Sequence, residues 1–291
     1  MAMSTTVSEA PSMKESYPSV VDTARTYYNS SDADQFYYHV WGGEDIHIGL
    51  YAQESGESIF EASRKTVEAM VKQLQTLPQT NGKVIDIGAG YGGSARFLAK
   101  SGYSVSCLNI SEEQNIRNRN YNSEQGLDSK IEVIDGSFED LPFRDTSFDI
   151  AWSQDAILHS GDREKVLTEV YRVLKSGGEF IFTDPMQSPN ASKEHLQAVL
   201  DRIHLDSMGS YDYYEKIAEK IGFEKLTVID LSQNLVFHYS HILAEINERY
   251  EEIQRVCSKA YLEKMKTGLK HWIEAGKKEQ LNWGILHFRK K

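Results

Sequence analysis

The sequence is poor in cysteine, in proline and in positive charge. Two cysteines, Cys107 and Cys257, are too few for a disulfide framework or a cysteine-rich metal site, and no other cluster has the spacing of metal ligands. Lys and Arg number 32 against 43 Asp and Glu, and a net charge of −11 lacks the basic excess that nucleic acids and anionic membranes attract. We therefore expect a small-molecule partner, no nucleic acid, no membrane and no metal.

Long apolar runs are also absent. No stretch approaches the roughly 20 apolar residues of a membrane-spanning helix. Residues 1–22 mix Ser, Thr, Pro and Glu without the apolar segment of a signal peptide, which predicts a disordered tail. Together with two cysteines expected to stay reduced, this favours a cytoplasmic protein. The sequence leaves the oligomeric state open.

What the sequence does have is a regular alternation of short apolar segments with amphipathic ones. The predicted strands are Lys83–Ile87, Ser104–Ile110, Ile131–Asp135, Phe148–Ser153, Glu179–Asp184, Phe223–Leu231 and Leu281–Phe288. Helical patterns such as Ala62–Leu77 and Arg163–Leu174 separate them. This alternation predicts an α/β fold with a doubly wound, mostly parallel, seven-stranded sheet.

The length allows one domain over residues 23–291. Within it we expect an N-terminal helical cap at 23–78 and a cofactor-binding core at 79–184. A helical insertion after the fifth strand, at 185–220, would cover the substrate, and C-terminal strands and helices would occupy 221–291.

The loop after the first predicted strand is the most informative segment. Glycines at 88, 90, 92 and 93 permit a tight strand-to-helix turn and let backbone N–H groups approach a ligand. This spacing also satisfies the dinucleotide pattern G-x-G-x-x-G, so by itself it leaves NAD and FAD open. The carboxylate of Asp86 would repel a pyrophosphate. It suits S-adenosylmethionine, which carries an ammonium and a sulfonium and no phosphate.

Further segments extend this pattern. With Asp86–Gly90, Asp135–Phe143, Ser147–Ser153 and Val170–Gly178, the chain resembles the class I S-adenosylmethionine-dependent methyltransferases. Within them, Trp152–Gly161, Phe182–Met186, Asp201–Gly209 and Trp283–Arg289 resemble the sarcosine/dimethylglycine N-methyltransferases that make betaine. The resemblance implies S-adenosyl-L-methionine as cofactor, S-adenosyl-L-homocysteine as product, and methylation of sarcosine or N,N-dimethylglycine.

The resemblance also implies where the cofactor lies. Its methionine part would contact Gly88, Ala89 and Gly90, with Asp86 near the ammonium. The ribose would lie at Asn109, Ile110 and Gln114, although most relatives have Asp or Glu in place of Asn109. Gly136, Ser137 and Phe138 would surround the adenine. Ser153 and Gln154 would complete the wall, and Ile48 and Gly49 resemble a segment that closes over the cofactor.

His159 is the predicted proton acceptor. Relatives that methylate phosphoethanolamine pair a histidine at this position with an N-terminal tyrosine, so the resemblance implies Tyr37 or Tyr38 as its partner. If a helix begins at Asp155, the i, i+4 spacing puts Asp155 and His159 on one face at the mouth of the site. The alternative is a packed or helix-surface histidine.

Substrate recognition is expected to combine a cation with aromatic walls. Arg202 is the candidate partner for a glycine-type carboxylate, with a solvated helix arginine as the alternative. The apolar Met186 suits N-methyl groups and so favours sarcosine or dimethylglycine over glycine. The other substrate-binding candidates are Asp155, His204, Met208, Tyr28 and Trp41, the aromatic ones because rings attract cations.

Two other functions stay open. A phosphoethanolamine-type or other small-molecule methyltransferase would need several cationic or tyrosine donors in the helical insertion. A non-catalytic S-adenosylmethionine-binding protein would not need the segment from Asp155 to His159.

Overall fold

Seven strands form one sheet in a computed structural model that describes residues 17–41, 43–52, 56–75, 82–203 and 205–291. The strands are β1 (Lys83–Ile87), β2 (Ser104–Asn109), β3 (Ile131–Asp135), β4 (Phe148–Gln154), β5 (Leu174–Gln187), β6 (Phe223–Asp230) and β7 (Leu281–Lys290). Their order is β3-β2-β1-β4-β5-β7-β6, and β7 runs antiparallel to both of its neighbours. The predicted fold class is confirmed.

Helices cover the sheet and add a second layer around its functional edge. They are α1 (Ser19–Tyr28), α2 (Ser31–Val40), α3 (Ile59–Val71), α4 (Gly93–Lys100), α5 (Glu112–Glu124), α6 (Arg163–Val173), α7 (Lys193–Ile203), α8 (Tyr211–Ile221), α9 (Ser232–Glu248), α10 (Tyr250–Ile253) and α11 (Lys259–Lys277). Helix α1 begins at Ser19, inside the segment 1–22 that we predicted as a tail. Residues 1–16 of that segment lie outside the described residues.

The central strand β1 is apolar on both faces because helices pack on both sides of a parallel sheet. Val84, Ile85 and Ile87 are fully buried, and the strand delivers Asp86 to the carboxyl edge. There the chain turns through Gly88, Gly90 and Gly92, all with positive φ, into α4. The predicted turn therefore places the glycine loop at the edge where ligands of such sheets bind.

The helices near the two ends of the chain share one core. Phe36 of α2 and Trp41 at its C-terminal end pack in one cluster. The same cluster contains Leu200 of α7 and Leu269 and Trp272 of α11. The N-terminal cap and the insertion after β5 therefore form a common wall, although they are far apart in sequence.

Helix α5 contacts the glycine loop through polar side chains. Its buried residues include Gln114, Asn118 and Asn122. The buried guanidinium of Arg96 donates to Asn118 and Asn122, to the carbonyl of Tyr91 at 2.6 Å, and through Nε to Glu44 at 2.7 Å. One arginine thus joins α4, α5, the glycine loop and residues 43–52, which we call the N-terminal segment.

None of the helices in the described part of the chain is both long enough and apolar enough to cross a membrane.

Candidate active site

A cavity of about 80 Å³ opens at the ends of β1 to β4, and we call it the glycine-loop cavity. Predicted cofactor residues in its lining are Gly88, Gly90, Asn109, Ile110, Gln114, Gly136, Ser137, Phe138 and Gln154. A Cβ at Gly88 would lie 2.3 Å from Ala156 Cβ, so this close approach requires glycine. Asn109 donates to Gln114 Oε1 at 2.9 Å, which orients both side chains at the end of β2.

A smaller neighbouring cavity, the acidic cavity, contains Asp86. Its lining includes Glu44, Asp45, His47, Asp86 and Ala89. Burial raises the pKa of Asp86 to about 7, with His47 opposing this rise and Asp45 adding to it. A carboxyl group held in this way gains from a cationic ligand, because the cation restores its ionised form.

Gln154 lines both of these cavities. Its Oε1 accepts from Trp152 Nε1 at 3.0 Å and from Ser94 Oγ. Its buried Nε2 has no hydrogen-bond partner among the described residues. A glycine turn, a buried carboxylate and a free amide donor fit S-adenosylmethionine, whose amino-acid part needs both an anion and donors.

A third cavity, of about 90 Å³, adjoins the first two, and we call it the aromatic cavity. Its ring-bearing lining residues are Tyr27, Tyr28, Tyr37, Trp41, His47, His159, Tyr239 and Trp272. Since about 10–15 Å³ is enough to hold one water, the cavity has room for several waters or a small ligand. Its size therefore suits a small substrate.

His159 pairs with Tyr28 at the boundary of the aromatic and glycine-loop cavities. His159 Nε2 lies 3.0 Å from the Tyr28 hydroxyl. Burial lowers the pKa of His159 to about 4, and the positive charges of Arg163 and Arg202 add to this effect. The imidazole is therefore neutral near pH 7.

The tyrosine that contacts His159 is thus Tyr28, and not Tyr37 or Tyr38 as expected from the sequence. Tyr37 lines the cavity with its ring 5.6 Å from that of Tyr28. Tyr38 lies outside it, stacked on Arg117 at 4.3 Å. The reason is the break between α1 and α2 after Tyr28, which lets the end of α1 contact the turn that contains His159.

Asp155 and His159 do not share a helix face, contrary to the sequence-based expectation. Asp155 has a φ of +51°, and only Ile157–His159 forms a short 3-10 turn. Asp155 accepts from the backbone N–H of Ile48 and from Trp283 Nε1, both at 2.7 Å. It lines the aromatic and glycine-loop cavities and binds the N-terminal segment to the end of β4.

Buried polar groups hold the His159 turn from both sides. Leu158 N–H donates to Asp184 Oδ1 at 2.9 Å, and Arg163 donates to the Leu158 carbonyl at 3.0 Å. Glu139 accepts from Ser160 and from Gly161 N–H. These hydrogen bonds hold the backbone on both sides of His159 and so fix the position of its imidazole.

Arg202 of α7 points into the aromatic cavity and is not a solvated helix arginine. Among the described residues no Asp or Glu forms an ion pair with it, and the hydrogen bond of its Nη2 goes to Met265 Sδ at 3.8 Å. Burial lowers the pKa of Arg202, but four nearby tyrosines outweigh this effect and raise it: Tyr27, Tyr37, Tyr239 and Tyr261. A half-buried cation without an acidic partner is suited to bind an anionic group of a ligand.

Several predicted residues lie elsewhere. Met186 packs in the core with Tyr214, while Pro185 lines the aromatic cavity, because successive side chains of β5 point to opposite faces. Any preference for methylated amines therefore belongs to the aromatic walls. Met208 is buried in the helical core and is not a lining residue. His204 lies outside the described residues.

Three cofactor candidates have other contacts. Ser153 Oγ donates to the Ile87 carbonyl at 2.8 Å and joins β4 to β1. Ile48 lines the aromatic cavity instead of the glycine-loop cavity. Gly49 N–H donates to His238, and a Cβ at Gly49 would lie 2.6 Å from Ala62 Cβ, so Gly49 serves the packing of α3.

Among the lining residues that sequence reasoning missed are Ile46, His47, Tyr239 and Trp272. His47 lies in residues 27–51, a stretch rich in Tyr and Trp, which was a usable signal. Tyr239 and Trp272 lie in ordinary amphipathic helices, where nothing local distinguishes a cavity residue from a core residue.

Comparisons with known proteins identify the family of this chain. The family described as a methyltransferase domain matches residues 85–182, from β1 into β5. A protein of Aphanothece halophytica named sarcosine/dimethylglycine N-methyltransferase is 53% identical over 272 residues, 93% of this chain and 98% of that protein. One of Parasynechococcus marenigrum (strain WH8102) named dimethylglycine N-methyltransferase is 47% identical, over 92% of this chain and 95% of that protein.

A crystal structure assigned as a sarcosine dimethylglycine methyltransferase from Galdieria sulphuraria superposes with a TM-score of 0.86. It is 46% identical, and the match covers 91% of this chain and 99% of that one. The chain therefore belongs to the class I S-adenosylmethionine-dependent methyltransferases, in the same family as the proteins named sarcosine/dimethylglycine N-methyltransferase.

Proposed function

We propose that the protein transfers a methyl group from S-adenosylmethionine to the nitrogen of N,N-dimethylglycine, and of sarcosine, and so forms glycine betaine. The observation that carries the choice of substrate is Arg202, a cation without an acidic partner among the described residues, in a small cavity beside His159. Dimethylglycine has seven non-hydrogen atoms and one carboxylate, which suits this cavity. The relatives named above have dimethylglycine in their names.

The cofactor residues divide between two cavities. We propose that Asp86 and Gln154 hold the ammonium and carboxylate of the methionine part, in and beside the acidic cavity. Asn109 and Gln114 would hold the ribose, and Ser137 and Phe138 the adenine. When bound, S-adenosylmethionine supplies an electrophilic methyl group on a sulfonium.

The chain's own contribution is mainly orientation. A substrate whose carboxylate is bound by Arg202 has its amine directed towards His159, Tyr28 and Asp155. These three residues line both the aromatic cavity and the glycine-loop cavity. Holding the amine in this geometry replaces a bimolecular encounter and supplies much of the rate. The aromatic walls exclude water and stabilise, by cation–π attraction, the positive charge that develops on the nitrogen as it accepts the methyl group.

A protonated amine cannot attack, so its proton must leave. His159 is neutral because burial and two arginines lower its pKa, and its Nε2, which is hydrogen-bonded to the Tyr28 hydroxyl, can accept a proton through that hydroxyl. Bound carboxylate at Arg202 offsets one of the two positive charges and makes the imidazole a stronger base. Substrate binding and proton removal are then coupled through Arg202.

The two alternatives are less well supported. A phosphoethanolamine-type substrate has a doubly charged phosphate, whereas the described residues that the insertion at 185–220 adds to the cavity lining include one arginine and no lysine or tyrosine. A non-catalytic binder has no need of a histidine–tyrosine pair beside the cofactor site.

The experiment that tests the proposal is the Arg202→Met variant. We expect its KM for dimethylglycine to rise by about 10- to 150-fold, the value of a charge-assisted hydrogen bond of roughly 1.5–3 kcal/mol. Its affinity for S-adenosylhomocysteine in calorimetry should not change. Lys270→Met removes an exposed cation of α11 and serves as the matched control.

The parent protein is assayed in parallel with glycine, sarcosine, dimethylglycine and phosphoethanolamine. Turnover of phosphoethanolamine alone would overturn the proposal, as would an unchanged KM in Arg202→Met.

A further inference from the structure

One buried hydrogen-bond donor in the lining of the aromatic cavity has no acceptor among the described residues. The four tryptophans of the chain are all described, and three indole N–H groups have acceptors. Trp41 donates to the His47 carbonyl, Trp152 to Gln154 and Trp283 to Asp155. Trp272 Nε1 is buried and has no hydrogen-bond partner among the described residues. Since an unpaired buried donor costs about 1–3 kcal/mol, this arrangement points to an acceptor supplied by a ligand.

The surroundings of Trp272 indicate the charge of that ligand. Its side chain is 1% exposed, lines the aromatic cavity, and packs against Tyr239 at 5.1 Å between ring centroids. The Arg202 guanidinium carbon lies 6.0 Å from the centroid of the Trp272 ring. Helix α11 passes so close that a Cβ at Gly268 would lie 2.4 Å from Arg202 Cδ. A cation and an indole with an unpaired N–H, on adjoining helices, therefore line the same aromatic cavity.

We propose that Trp272 Nε1–H donates to one oxygen of the substrate carboxylate while Arg202 binds the other. This inference rests on the proposed function and adds a specificity-determining residue to it. An indole N–H is a donor only, so a carboxylate oxygen, which accepts, matches it, and the negative charge of that oxygen strengthens the hydrogen bond. A substrate without the carboxylate leaves both Trp272 and Arg202 unpaired, which is the kind of contact that discriminates strongly between analogues.

The test replaces the N–H without changing the packing. β-(3-benzothienyl)alanine, installed at position 272 by amber suppression, has a sulfur atom where the indole has N–H and keeps nearly the same shape. We expect dimethylglycine to bind about 10-fold more weakly to this variant in the presence of S-adenosylhomocysteine, at the low end for a hydrogen bond to a charged group. The affinity for S-adenosylhomocysteine itself should be unchanged.

A neutral analogue separates loss of the carboxylate contact from general damage to the cavity. N,N-dimethylpropylamine keeps the amine and has an ethyl group, which cannot accept a hydrogen bond, in place of the carboxylate. Its inhibition constant should be the same in the parent and the variant. Equal weakening for both ligands would assign Trp272 to packing and overturn the inference.

A spectroscopic measurement reports on the N–H directly. In protein with 15N-labelled indoles, the resonance that disappears in Trp272→Phe identifies Trp272. Dimethylglycine should shift this resonance downfield and slow its exchange with water, and dimethylpropylamine should not. An unmoved resonance on saturation with dimethylglycine contradicts the inference while leaving the proposed function intact. Failure of the parent to bind or methylate dimethylglycine contradicts the proposed function instead.

Discussion

At the residue scale, the active-site candidate depends on side chains whose charge is set by burial. The surroundings of His159 disfavour a positive charge, and those of Asp86 disfavour a negative one. Both groups are neutral in part of the physiological pH range, and each becomes charged when a ligand brings the opposite charge. Their roles can therefore be separated by pH.

His159→Asn should lower turnover by about 10²- to 10⁴-fold, the usual range for a positioned proton acceptor. The affinity for S-adenosylhomocysteine should hardly change. Raising the pH should partly restore the rate, because solvent then deprotonates more of the amine. Steady-state rates between pH 7 and 9.5 check this. A fall without rescue, with a lower melting temperature, would make His159 a packing residue.

Tyr28→Phe tests whether the 3.0 Å contact acts in the same step. If it does, the double variant with His159→Asn should lose no more turnover than His159→Asn alone. Tyr38→Phe is the matched control, since its ring stacks on Arg117 away from the cavity, and it should keep the parent rate. Additive losses would place Tyr28 outside the catalytic unit.

Cofactor affinity should depend on pH through Asp86. Burial raises the pKa of this carboxyl to about 7, above its unfolded value, so it is largely protonated at pH 6. The bound ammonium favours the ionised form, and affinity for S-adenosylhomocysteine should therefore be about fivefold stronger at pH 7 than at pH 6. Calorimetry measures it. Asp86→Asn should bind weakly at both pH values, and a parallel pH dependence in that variant would show that Asp86 is not the group responsible.

At the scale of elements, α5 differs from an ordinary amphipathic helix because Asn118 and Asn122 pack on Arg96 where apolar residues are usual. This polar contact fixes the carbonyl of Tyr91 in the glycine loop and the carboxylate of Glu44 beside the acidic cavity. The cofactor loop is thus held by a buried ion pair and its neighbours.

Arg96→Met should destabilise the fold by about 3 kcal/mol, because it leaves Glu44 and buried amide groups without their partner. Urea denaturation monitored by circular dichroism measures the loss. Arg119→Met removes a half-exposed ion pair to Asp135 next to the same region and should cost less than about 1 kcal/mol. Similar losses in both variants would show that Arg96 contributes no more than a surface charge.

The sequence predicted strands best where local pattern decides. The bounds of β1 and β3 agree with prediction because each is a short apolar run ended by a turn. β5 extends beyond Glu179–Asp184 to Leu174–Gln187, since antiparallel β7 pairs with it as far as Gln187 and Phe148 of β4 pairs with Leu174. Such pairing is not visible locally.

The same limit applies to the site. Residues of the glycine loop and strand ends follow from their position in the chain, and nine of them line one cavity. The contact between Tyr28 and His159 depends on where α1 ends and on the positive φ of Asp155, which opens the 3-10 turn. Both depend on tertiary packing, which overrides local helix preference.

At the scale of the whole molecule, the N-terminal segment closes the cofactor region. Its residues Glu44 and His47 line the acidic cavity, and Ile48 N–H is bound to Asp155. A ligand in that cavity adds contacts on the segment's inner side. It should therefore reduce local opening of this part of the chain.

Hydrogen–deuterium exchange measures this effect. S-adenosylhomocysteine should slow exchange in peptides covering residues 44–49 and 88–93, while peptides of β6 and α10 serve as the internal reference. Equal exchange in 44–49 with and without ligand, at saturation, would mean that the segment is not part of the binding site.

The division between the cavities has a consequence for how such enzymes diversify. The glycine-loop cavity takes most of its wall from residues 88–159, whereas the cation and the unpaired indole of the aromatic cavity come from α7 and α11. After gene duplication, substitutions in those two helices can redirect one copy to a new acceptor while purifying selection keeps the donor site unchanged. Protein engineers can follow the same route by randomising α7 and α11 and leaving the strand ends intact.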